Sequence, residues 1–198
     1  MSYFRSIYAE HYKKLIRQYQ GFPNEKVLFQ DINPLLSNRK ALQEASKEIA
    51  DAIDEMLPFV TKILCVEARG FLLGGVLATL LDAGCVPIRK KGKLPPYASV
   101  RHADYALEYG TNSISLDTSL IEYNDKMVIF DDVLATGGTV DAVYRMLEEE
   151  ISKERLAISG KGNLCFAFLL EIEALGGRKK LIENTGIPNE NIFSLIKL

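Results

Sequence analysis

Two kinds of apolar spacing alternate along the chain. Phe4, Ile7, Tyr8, Tyr12, Leu15, Ile16 and Tyr19 recur at helical intervals, and Gly21 followed by Pro23 closes that segment, so a helix is predicted there. Leu42, Ala45, Ile49, Ala52, Ile53 and Met56 repeat the pattern in a second helix that Pro58 stops. The texture then changes. KILCVEARG is a short β-branched run ending in polar residues and glycine, and FLLGGVLATLLDAG follows as an apolar helix. CVPIRKKG is another short run ending in charge, MVIFDD then VDAVYRMLEEE gives strand and helix again, and NLCFAFLLEI is a further strand.

Continuous apolar strands alternating with helices predict an α/β fold, with a mostly parallel central sheet flanked by helices on both faces. Ligands of such sheets bind at the carboxyl ends of the strands. Three strand ends carry polar clusters: Glu67-Ala68-Arg69-Gly70, Arg89 to Lys93, and Asp131-Asp132. One of these alone is an ordinary strand exit; three suggest one site. Between the second and third lies KLPPYASVRHADYALEYGTNSISLD. Its first half has two prolines and little periodicity, which predicts a functional loop or disorder, and its second half alternates like a hairpin. No repeat or linker divides residues 1–198, so one domain is expected.

Composition narrows the classes. Apolar residues make up 47% and charged residues 25%, values of a soluble globular chain. A net charge of -2 gives no reason to expect nucleic acid or an anionic membrane as partner. No apolar run approaches the roughly 18 residues of a membrane span, and no signal-peptide core is evident, so a cytoplasmic location is expected. Cys65, Cys85 and Cys165 lie in apolar contexts without metal-ligand spacing and are expected to be buried thiols in a reducing compartment.

The stretch VIFDDVLATGGTVDAV carries the chemistry. Gly137 and Gly138 let the main chain curl closely round a ligand, the helix beginning near Thr139 adds the positive end of its dipole, and Thr136 and Thr139 supply hydroxyls. That is a cradle for a phosphate monoester. Asp131 and Asp132 cannot bind the same anion; they would accept hydrogen bonds from hydroxyl groups or hold a hydrated cation. Phosphate donors beside hydroxyl acceptors describe a sugar phosphate. A plain reading of TGGT as a helix-capping turn with solvated aspartates stays open from these four residues alone.

The whole stretch resembles the phosphoribosyl pyrophosphate (PRPP) motif of the type I phosphoribosyltransferase family. FPNEKVLFQDINPLL, EARGFLLGGVLA, VPIRKKGKLP and LEYG extend the likeness over most of residues 22–195, and RKKGKLP with LEYG points to the adenine branch. The resemblance implies transfer of adenine to PRPP, giving AMP and pyrophosphate in purine salvage. It implies a type I phosphoribosyltransferase fold with a hood and a flexible loop: residues 1–35 as N-terminal helix and base-binding hood segment, and residues 93–108 as the lid. Asp131, Asp132, Ala135, Thr136, Gly137, Gly138 and Thr139 would bind PRPP or AMP; Ala68, Arg69, Arg89 and Lys93 would bind pyrophosphate. Leu28, Phe29 and Gln30 would bind adenine, Phe29 by stacking, although an alternating strand would equally bury that ring in a core. Glu108 and Arg69 would be catalytic, Tyr105 and Tyr109 would belong to the lid, and a cis peptide is implied at Glu67–Ala68. Mg²⁺ would be held mainly by PRPP and water, with no metal held directly by the protein, and a homodimer is implied.

Two departures stand out. Gln30 occupies a position where many relatives have arginine, and the interval from Lys93 to Glu108 is slightly longer than the usual pattern. His102 in that interval is expected to face solvent. A PRPP-responsive regulator and an enzyme for guanine or xanthine are the competing readings.

Overall fold

The structure, a computed structural model, describes residues 9–25, 27–107, 110–153 and 160–198. The chain begins with α1 (Ala9–Lys13), β1 (Arg17–Gln20), β2 (Leu28–Asp31), α2 (Asn33–Ser37) and α3 (Arg39–Met56). It continues through β3 (Lys62–Val66), α4 (Arg69–Leu80), β4 (Gly84–Lys90), β5 (Val100–Leu107) and β6 (Gly110–Asp117). The last elements are β7 (Met127–Leu134), α5 (Gly138–Ser152), β8 (Leu164–Glu171), α6 (Gly177–Thr185) and β9 (Ile192–Lys197).

The longest helix shows how sequence sets these limits. Asn38 caps α3 by accepting the Ala41 N–H at 3.0 Å, and Pro58 follows its last turn. Ala41, Ala45, Ile49, Ala52 and Ile53 bury its inner face. Full burial of a side chain such as Ile49 stabilises by about 1.5–3 kcal/mol.

A seven-stranded sheet runs in the order β5-β6-β4-β3-β7-β8-β9. From β4 to β9 neighbouring strands are parallel, and β6 and β5 add an antiparallel edge. Side chains alternate across it. Ile63, Cys65, Val128, Phe130, Cys165 and Ala167 pack with α3 and α4, while Leu64, Ile129, Phe166 and Phe168 pack with α5 and Leu181 of α6. The predicted mostly parallel sheet with helices on both faces is therefore observed.

Three expectations need correction. Helical spacing over Phe4 to Tyr19 predicts one helix, but α1 ends at Lys13 and Arg17–Gln20 is a strand. Tyr19 pairs with Phe29 across a separate two-stranded sheet, and Gly21 (φ 85°) sends its N–H to Val27 O; pairing with β2 outranks local periodicity. The first eight residues lie outside the described residues. The strand expected to end at Asp131-Asp132 runs on to Leu134, because Val133 and Leu134 pair with Leu170 and Glu171 of β8. The irregular stretch is shorter than expected: β5 starts at Val100, where cross-strand pairs with β6 and contact with α5 organise it.

The cysteine expectation fails in part. Cys65 and Cys165 are buried, but Cys85 is exposed near the start of β4.

Candidate active site

The polar strand ends do converge. β3, β7 and β4 are neighbours in the sheet, and parallel register brings their carboxyl ends to one edge. The peptide between Glu67 and Ala68 is cis, as the sequence motif implied, and Ala68 caps α4, whose first amides have no intrahelical partner. Arg69 therefore starts a helix beside the exit of β7. Its Nε lies 2.7 Å from Asp132 Oδ2, and its guanidinium carbon stands 5.2 Å above the Phe29 ring.

Asp131 and Asp132 sit on opposite sides of β7, as successive strand residues must. Asp132 is almost fully buried, and its Oδ2 has the Arg69 ion pair but no hydrogen bond of good geometry. Burial pushes the Asp132 carboxyl up, partly offset by Arg69. Asp131 accepts the Asp132 N–H at 2.9 Å. Burial and the neighbouring Asp132 charge push its carboxyl well above the ordinary range, and Arg69 offsets only part of this. Two carboxylates thus share one cation. Such a pair is short of hydrogen-bond donors, which hydroxyl groups would supply.

The loop after Leu134 turns tightly. Gly137 (φ 78°) caps α5, and a Cβ there would meet Gly177 O at 3.0 Å. Gly177 approaches Ala135 O so closely that any side chain would collide with it. The start of α6 thus packs backbone to backbone against the loop, a support the sequence reading missed; the doubled glycine at 176–177 is the only signal for it. Ala135, Thr136, Gly138 and Thr139 remain partly open, and Asp141 in the first turn of α5 is drawn aside by Arg145 and Asn184.

Arg89 closes the far side. Its Nε donates to Glu67 Oε2 at 3.0 Å, which also accepts the Lys90 N–H at 2.8 Å. Burial alone would raise the Glu67 carboxyl, but that N–H and Arg89 hold it below the ordinary carboxylate range. Arg89 also lies 5.8 Å above Phe71. Lys93 is exposed on a turn formed with Gly92, its N–H bonded to Lys90 O.

Phe29 is partly buried rather than a core residue, flanked by Arg69 and by the edge of Phe22, whose centroid is 5.1 Å away. Leu28 is exposed, while Gln30 is buried and bonded to Leu28 O and Gln18, each at 3.3 Å. Tyr105 packs against the core shared with α5, and His102, exposed, bonds Ser115 Oγ at 2.7 Å. Glu108 and Tyr109 lie outside the described residues. Among the described residues no group of three or more His, Cys, Asp or Glu side chains is arranged to hold a metal, and no helix is long and apolar enough to cross a membrane.

Comparison with known proteins agrees with this geometry. The family described as "Phosphoribosyl transferase domain" matches residues 32–158. The chain is 40% identical over 189 residues to an adenine phosphoribosyltransferase of Geobacter metallireducens, covering 93% of this chain and 96% of that one. It is 41% identical over 168 residues to that of Flavobacterium johnsoniae, covering 85% and 91%. Among solved structures, the Giardia lamblia enzyme complexed with 9-deazaadenine superposes with a TM-score of 0.83 at 31% identity, over 98% of this chain and 99% of that one. The Rhodothermus marinus adenine phosphoribosyltransferase gives 0.79 at 38% identity, over 96% and 98%. With its polar strand ends, acid pair and glycine loop in that common frame, the chain belongs to the phosphoribosyltransferase family, in its adenine phosphoribosyltransferase branch.

Proposed function

We propose that the chain, as one catalytic unit, transfers the phosphoribosyl group of PRPP to adenine, forming AMP and pyrophosphate in purine salvage. The observation that carries the residue roles is Arg69, which touches both Phe29 and Asp132 and so joins an aromatic platform to an acid pair. Asp131 and Asp132 accept hydrogen bonds from the ribose hydroxyls. Ala135 to Thr139 hold the 5-phosphate through backbone amides and the Thr136 and Thr139 hydroxyls, favoured by the α5 dipole. Phe29 stacks on the base, and backbone groups at Leu28 and Gln30 read its edge.

As the glycosidic bond breaks, positive charge develops on the ribose and negative charge on the leaving pyrophosphate. Arg69, Arg89, Lys93 and the amides at Ala68 stabilise the latter. Glu67 holds Arg89 through its Nε, which supports that assignment. Glu108 shares a proton with the purine imidazole as the new bond forms. The segment 93–108, with Tyr105 and Tyr109, closes over the substrates and excludes water from the cationic centre, while residues 1–35 form the hood.

The donor set near PRPP fits a hydrated Mg²⁺: an acid pair with an underused carboxylate oxygen, and no all-protein cage among the described residues. The ion would be held by PRPP and water, with Asp131 and Asp132 nearest, and when bound it neutralises pyrophosphate charge. Leu72, Val76 and Leu80 expose an apolar stripe along α4, which supports a homodimer. The enzyme is assigned to the cytoplasm.

The test is a panel of bases with PRPP and Mg²⁺, followed by pyrophosphate release. Adenine should turn over and guanine, hypoxanthine and xanthine should be far slower. Pyrophosphate release with no base, or a preference for guanine, would overturn the reading.

A further inference from the structure

Two thiols outside the site stand against each other. Cys65 Sγ and Cys85 Sγ are 3.3 Å apart, on adjacent parallel strands. Ile63 is the register partner of Cys85, so Cys65 reaches back diagonally to it, its Sγ bonded to Ile63 O at 3.5 Å. The backbone of α4 at Gly74 lies directly over Cys65 Sγ, leaving no room for even a methyl group. The sulfur is therefore wedged between helix and strand and turned toward its neighbour.

The two differ in access. Cys65 is fully buried, whereas Cys85 is exposed one residue inside the start of β4. Cys165, the remaining cysteine, is fully buried on β8, separated from β3 by β7. Burial raises the Cys65 thiol and pushes Cys165 up to about 12, so neither is ready to meet an oxidant from solvent, and Cys65 can react only with the sulfur held 3.3 Å from it. An oxidant reaches only Cys85.

We propose that Cys85 and Cys65 form a redox modification site, oxidised by hydroperoxides to an intramolecular disulfide that thiols reverse. The Cys85 thiol attacks the peroxide, breaking its O–O bond; hydrogen peroxide leaves as water and Cys85 becomes the sulfenic acid. The Cys65 sulfur then attacks the Cys85 sulfur and expels the hydroxyl as a second water, its own proton leaving with it. In sum, two thiols and one hydrogen peroxide give one disulfide and two waters. Resolution by Cys65 keeps Cys85 from the irreversible sulfinic and sulfonic states.

Closure shortens the separation from 3.3 Å to about 2.05 Å. Diagonal neighbours on adjacent strands have Cα atoms about 7–8 Å apart, slightly beyond the usual span of a disulfide. The backbone at the start of β4 must therefore shift along its direction relative to β3. Cys85 lies one residue inside the start of β4, next to Gly84, where pairing with β3 begins. In a reducing compartment such a bond is transient, formed under oxidant and then removed. The site does not depend on the substrate reading above.

The test uses the full chain, reduced, freed of thiol, and exposed to graded hydrogen peroxide under native conditions. The protein is then denatured in excess N-ethylmaleimide and mapped by mass spectrometry, with and without prior reduction. The expected product is two hydrogens lighter, has lost two of its three alkylatable thiols, contains a peptide pair linked through Cys65 and Cys85, and recovers all three on reduction. Cys85 found as sulfinic or sulfonic acid beside an alkylatable Cys65 overturns the proposal. So does a disulfide between two chains, a bond to Cys165, or an unreacted Cys85. In Cys65→Ala, Cys85 should over-oxidise at a dose that leaves the wild-type bond reversible; equal protection there also overturns it. Should that variant not fold, the wild-type map decides alone.

Discussion

Asp131→Asn should make the free protein more stable and the enzyme worse. Burial and the adjacent Asp132 raise the Asp131 carboxyl far above its ordinary value of 3.8. A carboxyl with a raised folded-state pKa binds its proton more tightly folded than unfolded. Stability is then greatest below the ordinary value and declines as pH rises through the folded pKa, so at neutral pH Asp131 lowers stability. Asparagine keeps the volume and the acceptor for the Asp132 N–H while removing the charge. Relief of one such clash typically yields about 0.5–2 kcal/mol. In a chain of this length that is about 2–4 °C in Tm per kcal/mol. The gain should be present near pH 7.5 and vanish toward pH 4. Asp132→Asn should gain less, because Arg69 already offsets the Asp132 charge. Catalysis should move the other way. A hydrogen bond to a charged acceptor is worth about 1.5–3 kcal/mol, so kcat/KM for PRPP should fall about 10- to 150-fold. Thermal denaturation across pH, paired with initial rates, reads both. A variant less stable than wild type at pH 7.5, or a stability difference independent of pH, would refute the electrostatic argument; unchanged kcat/KM would remove Asp131 from ribose binding.

Three further outcomes are expected. Glu108→Gln should lower the single-turnover rate on adenine by about 10²–10⁴-fold with PRPP affinity nearly intact, and an unchanged rate would leave Glu108 no proton-transfer role. Gly137→Ala should cost about 1–3 kcal/mol in denaturant unfolding and abolish tight PRPP binding, since it forces a Cβ into a left-handed residue 3.0 Å from Gly177 O. Arg178→Met should cost about 3–5 kcal/mol, because Glu171, buried and bonded bidentately to Arg178, loses its partner. Burial alone would raise Glu171, but Arg178 holds its carboxyl low. The stability it contributes is therefore present above the ordinary carboxylate range and lost as pH falls, a dependence calorimetry should find weakened in the variant.

The sequence by itself determined the alternation of strand and helix, because buried parallel strands and amphipathic helices each leave their own apolar period. It determined the tight glycine loop, because few residue types allow a chain to curl as Gly137 does. It determined that three strand exits are polar, and the α/β rule that ligands sit at such exits made one site of them. Only the tertiary structure decided what periodicity cannot carry. Whether Arg17–Gln20 is helix or strand depends on β2, whose paired residues lie 8 to 14 positions further along the chain. How far β7 runs past its acids depends on β8, and where the irregular stretch ends depends on β6 and α5. The sequence names Arg69, Phe29 and Asp132 far apart; their contact, and the meeting of Cys65 with Cys85, arise from strand order, which pairwise burial across the whole sheet sets and no local stretch encodes.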